Sequence, residues 1–153
     1  MATDLSYAFE RTTCACPECV ACCTEQPGPL APGELDYIAA YLGVSVRDAL
    51  PYFWASPGAV VQDSHTGAVH RIGTITPRLR DGRCVFLTEA DRCSIHAVAP
   101  FGCAYADTHM AEQEWQPRAL WLYRTIAADA EYQSLRKMLP AATSWRPRTG
   151  RAG

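Results

Sequence analysis

The sequence predicts a small single α+β domain: a short antiparallel sheet or hairpin accompanied by several helices. Three observations lead there. Apolar residues recur at helical spacing in 33–43 and again after Pro117. Residues 59–88 are instead rich in β-formers broken by Thr66-Gly67 and Asp81-Gly82. Finally, 153 residues with 48% hydrophobic and 20% charged content suit one self-sufficient core rather than a disordered or fibrous chain.

The elements follow in order. Residues 1–13 are polar and irregular, and Pro27-Gly28-Pro29 stops regular structure after a cysteine-rich loop at 14–23. Residues 33–56 read as helical: Leu35, Ile38 and Leu42 share one face, Gly43 terminates, and Ser45 with Asp48 caps a second short helix that Pro51 ends. Pro57-Gly58 closes that stretch. Strands are expected at Val60-Val61 and Val69–Leu79, then across the Asp81-Gly82 turn at Cys84–Leu87. Residues 89–110 return to loop and short helix. Pro117 suits the first turn of a helix to about Leu139, broken near Asp129 and docked through Leu122, Ile126, Leu135 and Met138. The domain is expected to span 1–143, with 144–153 a flexible basic tail.

Charge and hydropathy narrow the function classes. A net charge of −2 and a pI near 6.1 give no reason to expect nucleic acid, and no window is apolar enough for a membrane span. The start shows neither a basic nor an apolar leader region, so the expected compartment is a reducing cytoplasm, where clustered cysteines bind metal or do redox work.

The unusual count is eight cysteines, five of them within residues 14–23. A disulfide scaffold needs a higher density than this, and a core of this size needs no staples. Cys16, Cys19 and Cys22 form two overlapping Cys-x-x-Cys turns, a three-sulfur claw. Zinc wants four ligands in a tetrahedron, whereas an iron–sulfur cluster wants four thiolates, often three near and one remote. The claw matches the start of a ferredoxin-type run but lacks its fourth Cys-Pro, so the remote ligand must be Cys84, Cys93 or Cys103. Cys22 and Cys23 are neighbours and diverge, so one ligates here while the other serves a second site, bridges, or packs. His96, three residues after Cys93, and His109, near Asp107, are alternative ligands, while His65 and His70 flank a hairpin turn. Iron–sulfur ranks slightly ahead of zinc, and two zinc ions sharing eight thiols would also account for Cys14.

Cys16-Pro-Glu-Cys19-Val-Ala-Cys22-Cys23, Gly82-Arg-Cys84-Val-Phe-Leu87, Cys93-Ser-Ile-His96 and Pro100-Phe-Gly-Cys103 occur in that order. Together they resemble the YkgJ-type cysteine-cluster family of zinc- or iron-chelating domains, over roughly residues 14–106. The resemblance implies a metal site on Cys16, Cys19, Cys22, Cys23, Cys84, Cys93 and Cys103, joining the N-terminal loop to the Cys84–Cys103 region. Related clusters in flagellin lysine methylases imply an iron–sulfur cluster. The chain departs from the family in having Ala99 and Ala104 where arginines are common and His96 where an aromatic is common. Seven thiolates would take the formal charge from −2 to −9 before any cation is added.

Three functions fit these residues: a metal-binding protein holding an iron–sulfur cluster or zinc, an iron–sulfur redox protein or enzyme component, and a zinc-stabilised interaction module. The last would dock a protein partner through exposed aromatics, with Tyr52, Phe53, Trp54, Trp115 and Trp121 as candidates.

Overall fold

The computed structural model describes residues 7–12, 16–25, 27–62, 65–107 and 109–143. Cys14 and the basic 144–153 segment lie outside the described residues. The chain is α+β, as expected.

The first helix, α1 (Pro17–Glu25), replaces the expected cysteine loop. Pro17 has no N–H to lose at a helix start, and Glu18 in the first turn complements the N-terminal dipole. Val20 N–H then donates to Cys16 O (3.0 Å), which closes the first turn. Cys-x-x-Cys spacing suits a helix as well as a turn, because residues three and four apart share a face.

Helix α2 (Glu34–Leu42) buries Leu35, Ile38 and Ala39. It ends at Gly43, whose left-handed φ of 73° lets its N–H reach the Ala39 and Ala40 carbonyls. Ser45 Oγ accepts from Asp48 N–H (3.1 Å) to open α3 (Val46–Ala49), and Pro51 sits in the 3₁₀ turn that follows.

Strand β1 (Phe53–Gln62) begins earlier than the sequence reading allowed. Residues 53–56, expected to be helical, instead pair with β2 (Val69–Pro77), from Phe53 opposite Pro77 to Gln62 opposite Val69. Pro57-Gly58 does not close the segment. It forms an irregularity where the register shifts between Ser56 and Ala59. A proline is tolerated there because a bulge needs no ladder N–H, and Gly58 adopts φ 82° with the Ile72 carbonyl where a Cβ would stand.

β3 (Leu79–Arg80) and β4 (Arg83–Cys84) form the anticipated hairpin. Asp81 and Gly82 both have positive φ (52° and 76°), as a two-residue type I′ turn requires. The strand expected over Cys84–Leu87 stops at Cys84, where a tight turn takes over and Leu87 N–H donates back to Cys84 O (2.9 Å). Helix α4 (Phe101–Ala104) carries Cys103.

Helix α5 (Glu112–Ala127) starts a turn and a half before Pro117, which lies inside it rather than in its first turn. Pro117 has no N–H to donate to the Gln113 carbonyl, which lies on an exposed turn where water can satisfy it. The predicted break at Asp129 is real: its carboxylate accepts from Tyr132 N–H (2.9 Å) and opens α6 (Ala130–Lys137). Leu122 and Ile126 dock as expected, but Met138 is 69% exposed.

The core gathers Leu30, Ile38, Phe53, Ile75, Ile95, Phe101 and Ile126. Within it lies Glu34, 4% exposed. Its Oε1 accepts from Ala31 N–H (2.6 Å) and Phe101 N–H (2.8 Å), and its Oε2 from the Tyr7 hydroxyl (3.1 Å). One carboxyl thus joins the N-terminal segment, the start of α2 and the start of α4. Burial pushes its pKa from 4.5 to about 7 despite those three donors.

Candidate metal centre

The innermost cysteine is set by two glycines. Gly102 N–H donates to Pro29 O (2.9 Å), and Gly28 N–H donates to Cys103 Sγ (3.1 Å). The two backbones pack so closely that a Cβ on Gly28 would strike the Gly102 carbonyl carbon, and a Cβ on Gly102 would strike the Pro29 ring. Pro27-Gly28-Pro29, which reads in sequence as a stop, is therefore the surface on which Cys103 is seated.

Two more cysteines come from the chain after β4. Cys84 ends β4, and the turn beyond it aims the Phe86 and Leu87 N–H groups at its sulfur. Ser94 N–H donates to Phe86 O (2.7 Å) and Leu87 bridges Cys93, which folds the segment back. The Ile95 N–H serves the Cys93 sulfur in the same way. Helix α1 packs against β4 and adds Cys19 and Cys23.

These five, Cys19, Cys23, Cys84, Cys93 and Cys103, line one cleft of about 1000 Å³. Burial pushes the Cys84 thiol up to about 12 and raises Cys93 and Cys103 as well. The charges of Cys23 and Cys93 raise Cys84 further, and those of Cys23, Cys84 and Cys93 raise Cys103. The cleft thus combines backbone donors aimed at sulfur with an environment that keeps the Cys84, Cys93 and Cys103 thiols protonated. A bound cation reconciles the two, because it converts thiols to thiolates and releases their protons.

A second grouping lies at the outer end of α1. The ligand atoms of Cys16, Cys19 and His109 lie within 4.8 Å of one another, close enough to hold a metal ion. His109 Nε2 is 3.0 Å from Cys16 Sγ, and its Nδ1 is 3.9 Å from Glu18 Oε2. Its backbone N–H donates to Asp107 Oδ1 (2.8 Å), and the Thr12 hydroxyl bonds Oδ2 of the same carboxylate. Burial works against the Asp107 carboxylate, but the Thr12 hydroxyl and the His109 and Met110 N–H groups outweigh it and lower its pKa. The Cys16 hydrogen bond, then the charge of that sulfur, raises the pKa of His109, with Glu18 and Asp107 adding to it.

Of the seven cysteines singled out by sequence, six have described side chains, and all six fall in one or other grouping. The side chain of Cys22 lies outside the described ones. Of the two histidines weighed as ligands, His109 reaches cysteine sulfur. His96 stands exposed at the cleft, where its carbonyl accepts from Arg11 (2.7 Å). His65 is exposed in the hairpin turn. The aromatic candidates do not form one exposed patch. Phe53 and Trp54 are buried, Trp54 Nε1 donates to Thr76 Oγ1 (3.0 Å), Tyr52 packs on Phe86, and Trp121 packs on Phe101.

Sequence reasoning passed over Glu34, Gly28 and Gly102. The Gly-Cys pair in Pro100-Phe-Gly-Cys103 was the available signal for the last of these, since a glycine beside a ligand often marks close backbone approach.

No helix among the described residues is long and apolar enough to cross a membrane. No curated protein and no solved structure matches the chain. The CxxCxxCC family, described as "Putative zinc- or iron-chelating domain", matches residues 15–120. That span carries the cysteine run of α1, the knuckle at Cys84, Cys93, Cys103 and His109, and on it the chain belongs to the CxxCxxCC family of metal-chelating domains.

Proposed function

We propose that the cleft holds an iron–sulfur cluster, with Cys23, Cys84, Cys93 and Cys103 as its inner thiolates. These belong to the ligand set Cys16, Cys19, Cys22, Cys23, Cys84, Cys93 and Cys103, within one domain of residues 1–143. The observation that carries this reading is convergence: sulfurs from α1, from β4 and its following turn, and from α4 line one cleft. Sulfur spacing supports the cluster over a single zinc ion. With Zn–S near 2.3 Å, a tetrahedral site needs its sulfurs roughly 3.8 Å apart. Among the described residues, no three of the cleft cysteines have their sulfurs within 4.8 Å of one another. A centre with several irons would let thiolates that do not crowd round one ion share it.

The chain's own contribution is to place and shield. Backbone N–H groups of Gly28, Phe86, Leu87 and Ile95 face the sulfurs and stabilise them as anions. Phe86, Ile95 and Pro77 give the cleft apolar walls. When bound, a cluster supplies either one-electron transfer or a structural knot. Thiols of this kind persist in a reducing compartment such as the cytoplasm.

Iron and acid-labile sulfide measured on protein purified without oxygen, together with its visible absorption, test the reading. Stoichiometric iron and sulfide, both lost in Cys84→Ser and Cys93→Ser, are expected. A colourless protein with one zinc per chain, lost in the same variants, would overturn it in favour of zinc in the cleft.

A further inference from the structure

We propose that Cys16, Cys19 and His109 form a second metal site, at the outer edge of the cleft and distinct from its inner thiols, suited to a single zinc ion. It goes beyond the cleft reading and does not depend on it. Three observations carry the assignment. The three ligand atoms lie within 4.8 Å of one another, which is near the spacing a single tetrahedral ion imposes and is not found among the cleft sulfurs of the described residues. The donor set is mixed sulfur and nitrogen, a combination zinc takes readily, whereas the common iron–sulfur clusters take four thiolates. The histidine is also oriented for the task. Nε2 faces the Cys16 sulfur at 3.0 Å, while Nδ1 lies 3.9 Å from the Glu18 carboxylate, outside hydrogen-bond reach but on the side where a negative charge favours a cation at the ring. The His109 backbone is anchored in turn through Asp107.

The location fits an exchangeable ion better than a structural one. The His109 and Glu18 side chains are 51% and 76% exposed. Among the described residues three protein groups are placed to bind, one fewer than a closed tetrahedral zinc site takes. Cys19 lines the cleft as well as the outer site, so the two centres are adjacent.

The test uses the full chain purified without oxygen, with its iron counted before and after. Zinc affinity is measured by competition with a chromophoric chelator, and the coordination shell by X-ray absorption at the zinc edge. One zinc per chain is expected, bound through two sulfurs and nitrogen or oxygen, and released by chelator while iron stays. His109→Ala should weaken zinc at least tenfold, the loss that changes to a metal's outer-shell partners alone can produce. It should leave iron unchanged, and His109→Cys should restore zinc binding. Unchanged zinc affinity in His109→Ala, an all-sulfur zinc shell, or loss of iron in Cys16→Ser would overturn the proposal. The two readings fail separately. If the cleft holds no cluster, iron is absent throughout while zinc still depends on His109; if the outer site is wrong, Cys84→Ser still loses iron.

Discussion

The inner and outer ends of the cysteine constellation are built from the same kind of side chain, and α1 supplies a cysteine to each, yet their surroundings differ. Cys84 and Cys103 sit among apolar groups and backbone donors, where burial holds the thiols protonated in the absence of a cation. Cys16 sits beside an exposed histidine and a carboxylate. A thiol's usefulness to a metal depends on what stabilises the thiolate. At the inner end a cation and fixed N–H dipoles must do it. At the outer end solvent and an imidazole share the task. The contrast shows how one short run can serve two chemistries, because a helix turns successive cysteines toward different neighbours.

The largest test of that contrast removes the metal. Structural metal sites carry apparent binding free energies on the order of 10 kcal/mol. Anaerobic chelation strong enough to empty the cleft is therefore expected to lower the melting temperature by roughly 10 °C or more. Amide exchange in α1 should rise sharply, while the β1–β2 core around Phe53 and Ile75 stays protected. Equal loss of protection in both regions would break the distinction between a metal-docked helix and a self-standing core.

Next comes Glu34, which serves the inner end by fixing the start of α4. Glu34→Ala leaves the buried Ala31 and Phe101 N–H groups without acceptors, at about 1–3 kcal/mol each. Denaturant unfolding should report a loss of roughly 2–6 kcal/mol. The pH dependence has a definite sign. The folded-state pKa of about 7 lies above the usual 4.5, so the folded protein binds the proton more tightly than the unfolded chain. This contribution is fully present below pH 4.5 and is lost as pH rises through about 7, a change of about 3 kcal/mol. Comparing stability–pH curves of wild type and Glu34→Gln isolates it, and parallel curves would show that the carboxyl does not titrate in this range.

Gly102→Ala sharpens the comparison further, since overpacking against backbone has little room to relax. A loss of about 1–3 kcal/mol is expected, with weaker metal retention at the inner end and none of that effect on zinc at His109. Stability within about 0.5 kcal/mol of wild type would mean that the two segments separate readily. The smallest effects belong to the surface. The Arg83–Asp91 ion pair (2.7 Å) is exposed on both sides, and Asp91→Ala should cost no more than about 1 kcal/mol. His109→Ala should leave the stability of the zinc-free protein close to that of wild type while weakening zinc binding.

Much of this was legible in the sequence, for physical reasons. Asp81-Gly82 demanded a left-handed turn and obtained one, and Gly43, Ser45 and Asp129 acted through local hydrogen bonds that need no tertiary information. The cysteines were legible as a site because their number has no other use in a core this size. The failures were long-range. Phe53–Ser56 became strand because pairing with Thr74–Pro77 outweighed the helical run before it, and α1 formed where only a loop was expected. Pairing His109 with Cys16 spans 93 residues, beyond anything spacing can report. Glu34 looked like an ordinary acidic residue in a helix's first turn, and only the fold reveals that its partners include Tyr7 and Phe101.

The contact between Gly28 and Gly102 also bears on the order in which the centre assembles. Because those backbones meet without side chains between them, the wall carrying Cys103 is set by packing of the chain itself and should need no metal to take its shape. Cys84 and Cys93 are held on the same side by their own turns, whereas α1 supplies the opposite wall. Loading would then be a capture event: Cys84, Cys93 and Cys103 would offer a prepared half-socket, and α1 would complete the centre with Cys23. Such a centre should refill quickly after it is emptied, at a rate limited by one short helix rather than by refolding of the domain.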